Sequence, residues 1–389
     1  MTNFIASPTK KIAVAMSGGV DSSVAAYLIR QAGYEAIGLT AWTLNGPGKC
    51  CNDALVNAGR VCETLGMTYD TVDLRAAFSH YVMDYYNKSY KTGLTPNPCV
   101  ECNRFVKWEL LVDYAVNTLG ADYIATGHYA LIHHHPEKED PVSLYRSTDE
   151  HKDQTYMMAR VYPHDLAKTI FPLGTMTKPE VVALAKSVDL PTAYSKESQD
   201  ICFVLNGQAN YMNGVFGKQT GNLVDYDTGK VVGQHEGHYR YTLGQRKGIG
   251  VGVGRPVYVV KIDVDSNTVY LGDQHHIEKT RFVVKEPNWL VQRFQSPEAY
   301  PFQSMVKIRY NSPPVLGTVE YAHQGELWVT LDTPQLAVTP GQIAAFYDEN
   351  FQQLYGGGYI EAHLAQQTPT PEEWQEKAEN LPDLHCQLA

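Results

Sequence analysis

The stretch that most restricts the fold is residues 11–29. Lys11-Ile12-Ala13-Val14-Ala15 has strand character, and Val24, Ala25, Leu28 and Ile29 recur at helical spacing soon after it. Between them lies Met16-Ser17-Gly18-Gly19-Val20-Asp21-Ser22-Ser23. A glycine-rich loop is thus set between a buried strand and the first turn of a helix. This geometry suits an anion, because the unpaired N–H groups of the first turn and the helix dipole both face the loop. Gly18 and Gly19 let the backbone approach a phosphate, Ser17, Ser22 and Ser23 add hydroxyl donors, and Asp21 is placed to orient a metal ion or to cap the helix.

The loop lacks the Gly-Lys-Ser/Thr of a Walker A motif and the Gly-x-Gly-x-x-Gly of dinucleotide folds. It resembles the pyrophosphate loop of the ATP pyrophosphatase superfamily. Members of that superfamily cleave ATP between the α and β phosphates and usually pass AMP to an oxygen that must leave.

Strand and helix patterns alternate over residues 11 to about 130, which implies a parallel sheet wrapped by helices. Strands are expected at 36–42, 68–74 and 121–126, and helices at 53–65, 78–90 and 105–119. Ligands of such sheets bind beyond the carboxyl ends of the strands. The Ser-Gly-Gly loop and Gly127-His128 both fall there. His133–Glu139 reads as a hairpin loop, Lys152–Tyr156 as the opening of a helix, and Thr177-Lys178-Pro179-Glu180 as a capping box. After about Leu205, glycine and β-branched residues dominate and helical periodicity stops. Gly221–Gly233 reads as a hairpin, and Gly244–Gly254, with Arg246 and Lys247, as a contact loop. Short strands recur between Arg281 and Ile360, at 282–285, 305–310, 316–321, 326–331 and 343–347, the pattern of a small β-barrel or sandwich.

The fold class is therefore α/β: a parallel-sheet nucleotide-binding domain of the ATP pyrophosphatase type, a small central domain and a C-terminal β-barrel. The expected boundaries are 1–205, 206–280 and 281–365, with a flexible acidic tail over 366–389. No apolar run approaches the ~18 residues of a membrane span, and Met1–Lys10 has no leader-like apolar core. A cytoplasmic location is the expectation. The net charge of −10 argues against a polyanionic partner, but its distribution argues otherwise. Residues 240–309 carry eleven Lys and Arg against six Asp and Glu, a net of +5, whereas residues 348–389 carry eight acids against one lysine, a net of −7.

Seven cysteines form no disulfide framework. Cys99 and Cys102 lie in Thr95-Pro96-Asn97-Pro98-Cys99-Val100-Glu101-Cys102-Asn103, before a helix expected to start near Arg104. A helix N-terminus favours thiolate, and Cys102 is the better placed of the two. Cys202 reads as part of an apolar strand. Zinc would need a second Cys-x-x-Cys pair, and thioredoxin-like surroundings are absent. Sulfur chemistry is the third reading, with a persulfide on one cysteine and a second cysteine that releases the sulfur. Cys50, Cys51, Cys62 and Cys386 are taken as structural or incidental.

Seven motifs occur in order: Ser17–Ser22, Thr95–Pro98 with Cys102-Asn103, Ala125–Tyr129, Lys152–Gln154, Gln199–Phe203, Tyr241–Gly248 and Thr339–Gln342. Together they closely resemble the tRNA-specific 2-thiouridylases over roughly Lys11–Ile360. The resemblance implies ATP-dependent adenylation of the C2 oxygen of the wobble uridine, then sulfur transfer from a cysteine persulfide, with release of AMP and pyrophosphate. It implies that Ala15, Met16, Ser17, Gly18, Gly19, Val20, Asp21 and Ser22 hold the triphosphate, with Ala41 and Gly127 also at the nucleotide, and that Mg²⁺ accompanies ATP. Cys202 matches the persulfide-bearing cysteine and Cys102 its partner. Asn97, Pro98 and Cys99 match a loop near the target base. His128, Lys152, Asp153, Gln154, Arg309, Tyr310 and Gln342 match tRNA contacts. The implied partners are the tRNA anticodon loop and a persulfide donor, such as a cysteine desulfurase or a sulfur-relay protein. A monomer is expected.

One departure stands out: many family members have Asp where this chain has Cys99. The three thiols of Cys99, Cys102 and Cys202 open an alternative in which a [4Fe-4S] cluster carries the sulfur. A more distant alternative is an ammonia-using ligase of the same superfamily, which would need neither Cys102 nor Cys202.

Overall fold

The computed structural model describes residues 10–45, 52–195, 201–205, 207–362 and 371–379. The chain opens on β1 (Lys11–Ala15), α1 (Val20–Gln31), β2 (Glu35–Trp42), α2 (Asn52–Thr64) and β3 (Thr68–Asp73). Two long helical runs follow, α3 over residues 75–91 and α4 over residues 98–118, each α-helical with π-helical turns. Next come β4 (Tyr123–Thr126), a hairpin of β5 (Leu131–His134) and β6 (Val142–Tyr145), β7 (Thr169–Ile170) and α5 (Lys178–Ser187). The first sheet has the order β3-β2-β1-β4-β7 and is parallel throughout. Its central strands are apolar because both faces are covered: Ile12, Ala13, Val14 and Leu39 are fully buried. α5 starts with the expected capping box of Thr177 and Glu180.

α6 (Gln208–Phe216) leads into the central domain of β8 (Gly221–Asp225), β9 (Val231–His235), β10 (Tyr258–Asp263) and β11 (Thr268–Gly272), in the order β10-β11-β8-β9. The last domain comprises β12 (Glu278–Trp289), β13 (Phe302–Lys307), β14 (Val315–Tyr321), β15 (Leu327–Leu336), β16 (Ile343–Tyr347) and β17 (Gln353–Ile360). These six strands run β12-β15-β14-β13-β16-β17, and β17 pairs back onto β12 to close an antiparallel barrel around Val284, Val306, Val319, Val329 and Phe346. The first-domain hairpin adds to the outside of this barrel, with Leu144 of β6 opposite Leu354 of β17. One hydrogen-bonded sheet therefore joins the two domains.

Several expectations are corrected. α4 begins at Pro98, not near Arg104: Asn97 caps it by accepting from the N–H groups of Cys99 and Val100, and Pro98 takes the first position, where it needs no N–H partner. Cys99 is therefore nearer the positive end of the helix than Cys102. Cys202 lies in a turn rather than a strand. Its apolar neighbours are apolar because Phe203 packs edge-on against Phe78 and Tyr86, not because they join a sheet. A helix, α6, follows Leu205 where helical periodicity was expected to stop. Its pattern is faint because Met212 is its one buried side chain. His133 and His134 belong to β5, and the hairpin turn begins after them. Within the expected flexible tail, Pro371–Glu379 forms a helix, α7. Trp374 holds it against His80 and Tyr81, and Lys377 pairs with Asp84 at 2.6 Å. Residues 196–200, Cys50, Cys51 and Cys386 lie outside the described residues.

Candidate active site

The carboxyl ends of β1, β2 and β4 open onto a cavity of about 410 Å³. One end is the anion loop, with Ala15, Met16, Ser17, Asp21 and Ser22 at its wall. Gly18 has φ +70°, and a Cβ there would sit 2.7 Å from the carbonyl oxygen of Ala54 in α2. Ser22 Oγ donates to the Gly19 carbonyl and accepts from the Ser17 N–H at 3.2 Å, so the loop is tied to its own helix. At Gly127 the end of β4 meets the start of α1, where a Cβ would lie 2.7 Å from the Ser22 nitrogen. Thr40, Ala41 and Trp42 close the side formed by β2.

Asp21 does not cap α1. Its carboxylate accepts from Lys178 Nζ at 2.6 and 2.7 Å and from the Tyr129 hydroxyl at 2.8 Å. Lys178 was read from sequence only as part of a helix start, and Tyr129 only as part of a motif. The donor set of this loop is hard oxygen, which fits a Mg²⁺ ion brought by ATP phosphates and held through one carboxylate. Asp21 is the residue that would hold it.

Another part of the cavity wall carries sulfur. Pro98, Cys99 and Cys102 of α4 and Ile201, Cys202 and Phe203 line it. Cys99 is exposed, Cys102 and Cys202 are half-buried, and all three are thiols. Among the described residues no group of three or more His, Cys, Asp or Glu side chains is arranged to hold a metal ion. Cys62 is a different kind of thiol: it is buried, and desolvation pushes its pKa up to about 11, as suits an inert core residue.

His128, Lys107 and Gln154 also line the cavity. His128 is half-buried, and desolvation, with the nearby Lys107 charge, holds its pKa well below the usual imidazole range. It is neutral at pH 7. Its Nε2 lies 3.4 Å from Lys107 Nζ and its Nδ1 2.9 Å from Thr126 Oγ1. Gln154 accepts from the Tyr129 N–H at 2.9 Å.

The remaining candidates divide into two groups. Tyr310 and Gln342 bring the barrel to this site: Gln342 donates to the carbonyls of Thr95 and Pro96 at 2.9 and 3.2 Å, and Tyr310 to that of Asp153 at 3.1 Å, whereas Arg309 donates within the last domain, to the Ala337 carbonyl at 3.2 Å. Asp153 is only 5% exposed, so it faces inward. It accepts from the Ser147 N–H and the Thr155 hydroxyl, and burial raises its pKa. Lys152 beside it is half-buried. Glu101, between the two cysteines of α4, was missed by sequence reasoning. It is buried and accepts from the Tyr359 hydroxyl of β17 at 2.9 Å, while the Arg160 guanidinium lies 4.4 Å over the Tyr359 ring. Nothing in a Cys-x-Glu-Cys spacing distinguishes such an anchor from a surface carboxylate.

A parallel sheet with an anion loop at its strand ends, joined to a barrel that grips a thiol-bearing helix, defines a nucleotide-activating enzyme with sulfur at its site. Comparison with known proteins narrows the class. Residues 10–206 match the family model described as tRNA methyl transferase HUP domain, residues 209–273 the tRNA methyl transferase PRC-barrel domain, and residues 279–360 the aminomethyltransferase beta-barrel domain. The tRNA-specific 2-thiouridylase MnmA of Nostoc punctiforme is 40% identical over 354 residues, 90% of this chain and 99% of that one. That of Synechocystis is 40% identical over 354 residues, covering 90% and 97%. The chain belongs to the tRNA-specific 2-thiouridylase family. Solved structures give partial likenesses. The U34-tRNA thiolase NcsA from Methanococcus maripaludis with its [4Fe-4S] cluster is 21% identical at a TM-score of 0.34, covering 49% of this chain and 60% of that one. A 4-thiouridine synthetase–RNA complex with bound ATP is 16% identical at 0.31, covering 50% and 44%.

Proposed function

We propose that this protein catalyses ATP-dependent 2-thiolation of the wobble uridine of tRNA, with a persulfide on Cys202 as the sulfur source. The observation that carries the proposal is that the anion loop and the thiols of Cys102 and Cys202 line one cavity. The uridine C2 oxygen is a poor leaving group. It attacks the α-phosphorus of ATP held by Ala15–Ser22, Ala41 and Gly127, and pyrophosphate leaves. Mg²⁺ bound with ATP offsets phosphate charge. The terminal sulfur of the Cys202 persulfide then attacks C2, and the C2–O bond breaks with its electron pair going to AMP. The Cys102 thiolate attacks Cys202 Sγ, which forms a Cys102–Cys202 disulfide and leaves the sulfur on C2. An external dithiol restores the thiols. The target base must leave its stack to reach this cavity, and Asn97, Pro98 and Cys99 are its expected neighbours.

The tRNA body is assigned to the central and barrel domains, where residues 240–309 are net positive. His128, Lys152, Asp153, Gln154, Arg309, Tyr310 and Gln342 stand as its contacts, Asp153 through the chain it orders rather than through its own carboxylate. The functional units proposed are 1–205, 206–280 and 281–365. The protein is taken to act as a cytoplasmic monomer that receives its persulfide from a desulfurase or relay protein. No helix among the described residues is long and apolar enough to cross a membrane. Incubation of persulfide-loaded protein with ATP and unmodified tRNA should yield 2-thiouridine, AMP and pyrophosphate in equal amounts. Pyrophosphate without tRNA-bound sulfur, from protein that carries a persulfide, would refute the assignment.

A further inference from the structure

We propose that Lys107 is a further catalytic residue of this reaction: its ammonium contacts the phosphate of the adenylated uridine and takes up the charge that develops as AMP leaves. The inference rests on the function proposed above. It starts from how α4 is wound. From Cys102 to Leu110 the helix is π-helical, with more residues per turn than an α-helix. That winding places Lys107 on the face that carries Cys102, and both line the cavity, with Val106 and Leu111. Lys107 Nζ reaches the end of β4, 3.4 Å from His128 Nε2. His128 is the next residue after Gly127, where an added Cβ would lie 2.7 Å from the Ser22 nitrogen of the anion loop. The ammonium therefore sits where the thiol-bearing helix and the phosphate-binding end of the cavity meet.

Its charge is available there. Among the described residues no carboxylate lies within 4.0 Å of Lys107, whereas Lys178, at the same loop, is held on Asp21. Lys107 itself is half-buried, and its neighbour His128 is neutral. With Nε2 accepting from Lys107, the ring donates from Nδ1 to Thr126 Oγ1, so the lysine is oriented without being neutralised. A cation fixed in the wall of a cavity is most effective on charge that appears only as the reaction proceeds. Here that charge is the electron pair that passes from the breaking C2–O bond to the oxygen of AMP.

The test is single-turnover thiolation of unmodified tRNA by persulfide-loaded Lys107→Ala, Lys107→Gln and Lys107→Arg proteins, with ethylammonium as the added amine. Lys107→Ala and Lys107→Gln should be slower than the parent by about 100-fold, and Lys107→Arg by about 10-fold or less. The ATP concentration at half-maximal rate should move by less than about threefold, and ethylammonium should restore part of the Lys107→Ala rate. The proposal is overturned if both neutral variants stay within about threefold of the parent, or if Lys107→Ala is slow and ethylammonium leaves it so. The parent protein is the control: if it forms no 2-thiouridine, the proposed function itself has failed, whereas a working parent with indifferent variants removes Lys107 alone.

Discussion

Gly127 is the residue on which the nucleotide end of the cavity turns. It ends β4 so close to α1 that the Ser22 nitrogen occupies the place of a side chain. Gly127→Ala must push the first turn of α1 away from β4 and so misalign the N–H groups that face the phosphates. The expected outcome is at least about a tenfold weaker ATP affinity by calorimetry, equal to about 1.4 kcal/mol, with the thiols of Cys102 and Cys202 still reactive. Affinity equal to the parent's would mean that the loop does not hold the triphosphate. The same scale shows what local sequence conveys. The Ser-Gly-Gly loop was legible because its function needs those residue types in that order. The ion pair of Asp21 with Lys178 was not, since it spans 157 residues and each partner had a local explanation. His128 could be placed at a strand end, but its neutral state arises from burial and from Lys107, which only the assembled cavity supplies.

At the scale of elements, α4 is the part that the barrel holds in place. Its start is gripped by Gln342 through the Thr95 and Pro96 carbonyls, and its first turn by Tyr359 through Glu101. Tyr359→Phe removes a donor from a buried carboxylate, which should cost about 1–3 kcal/mol of stability. Thermal unfolding would show this as a lower Tm, and thiolation should fall more than ATP binding because α4 carries the cysteines. An unchanged Tm and rate would mean that the barrel does not position the helix. α4 was legible as a helix and misread at its start. Two prolines read as a loop, yet Pro98 is the first residue of the helix because Asn97 caps it. The barrel strands were legible from β12 to β16 by alternation. β17 was missed because three consecutive glycines, Gly356, Gly357 and Gly358, leave no side chains to alternate. α7 was hidden in an acidic stretch whose one aromatic anchor, Trp374, finds its partners nearly 300 residues away.

At the scale of the whole molecule, the hairpin of β5 and β6 makes the barrel an extension of the first domain, and the arrangement sets barrel side chains beside the thiol-bearing wall of the cavity. Two chemical steps in one cavity are the central claim, and they separate by mutation. The measurement that tests it most directly follows labelled sulfur. Protein freed of iron and loaded with a ³⁵S persulfide is mixed with ATP and unmodified tRNA, beside a Cys202→Ser variant treated identically. The parent should pass its label to tRNA only when ATP is present, and Cys202→Ser should pass none while still releasing pyrophosphate. Thiolation by Cys202→Ser at the parent's rate, or thiolation that requires restored iron, would contradict the claim.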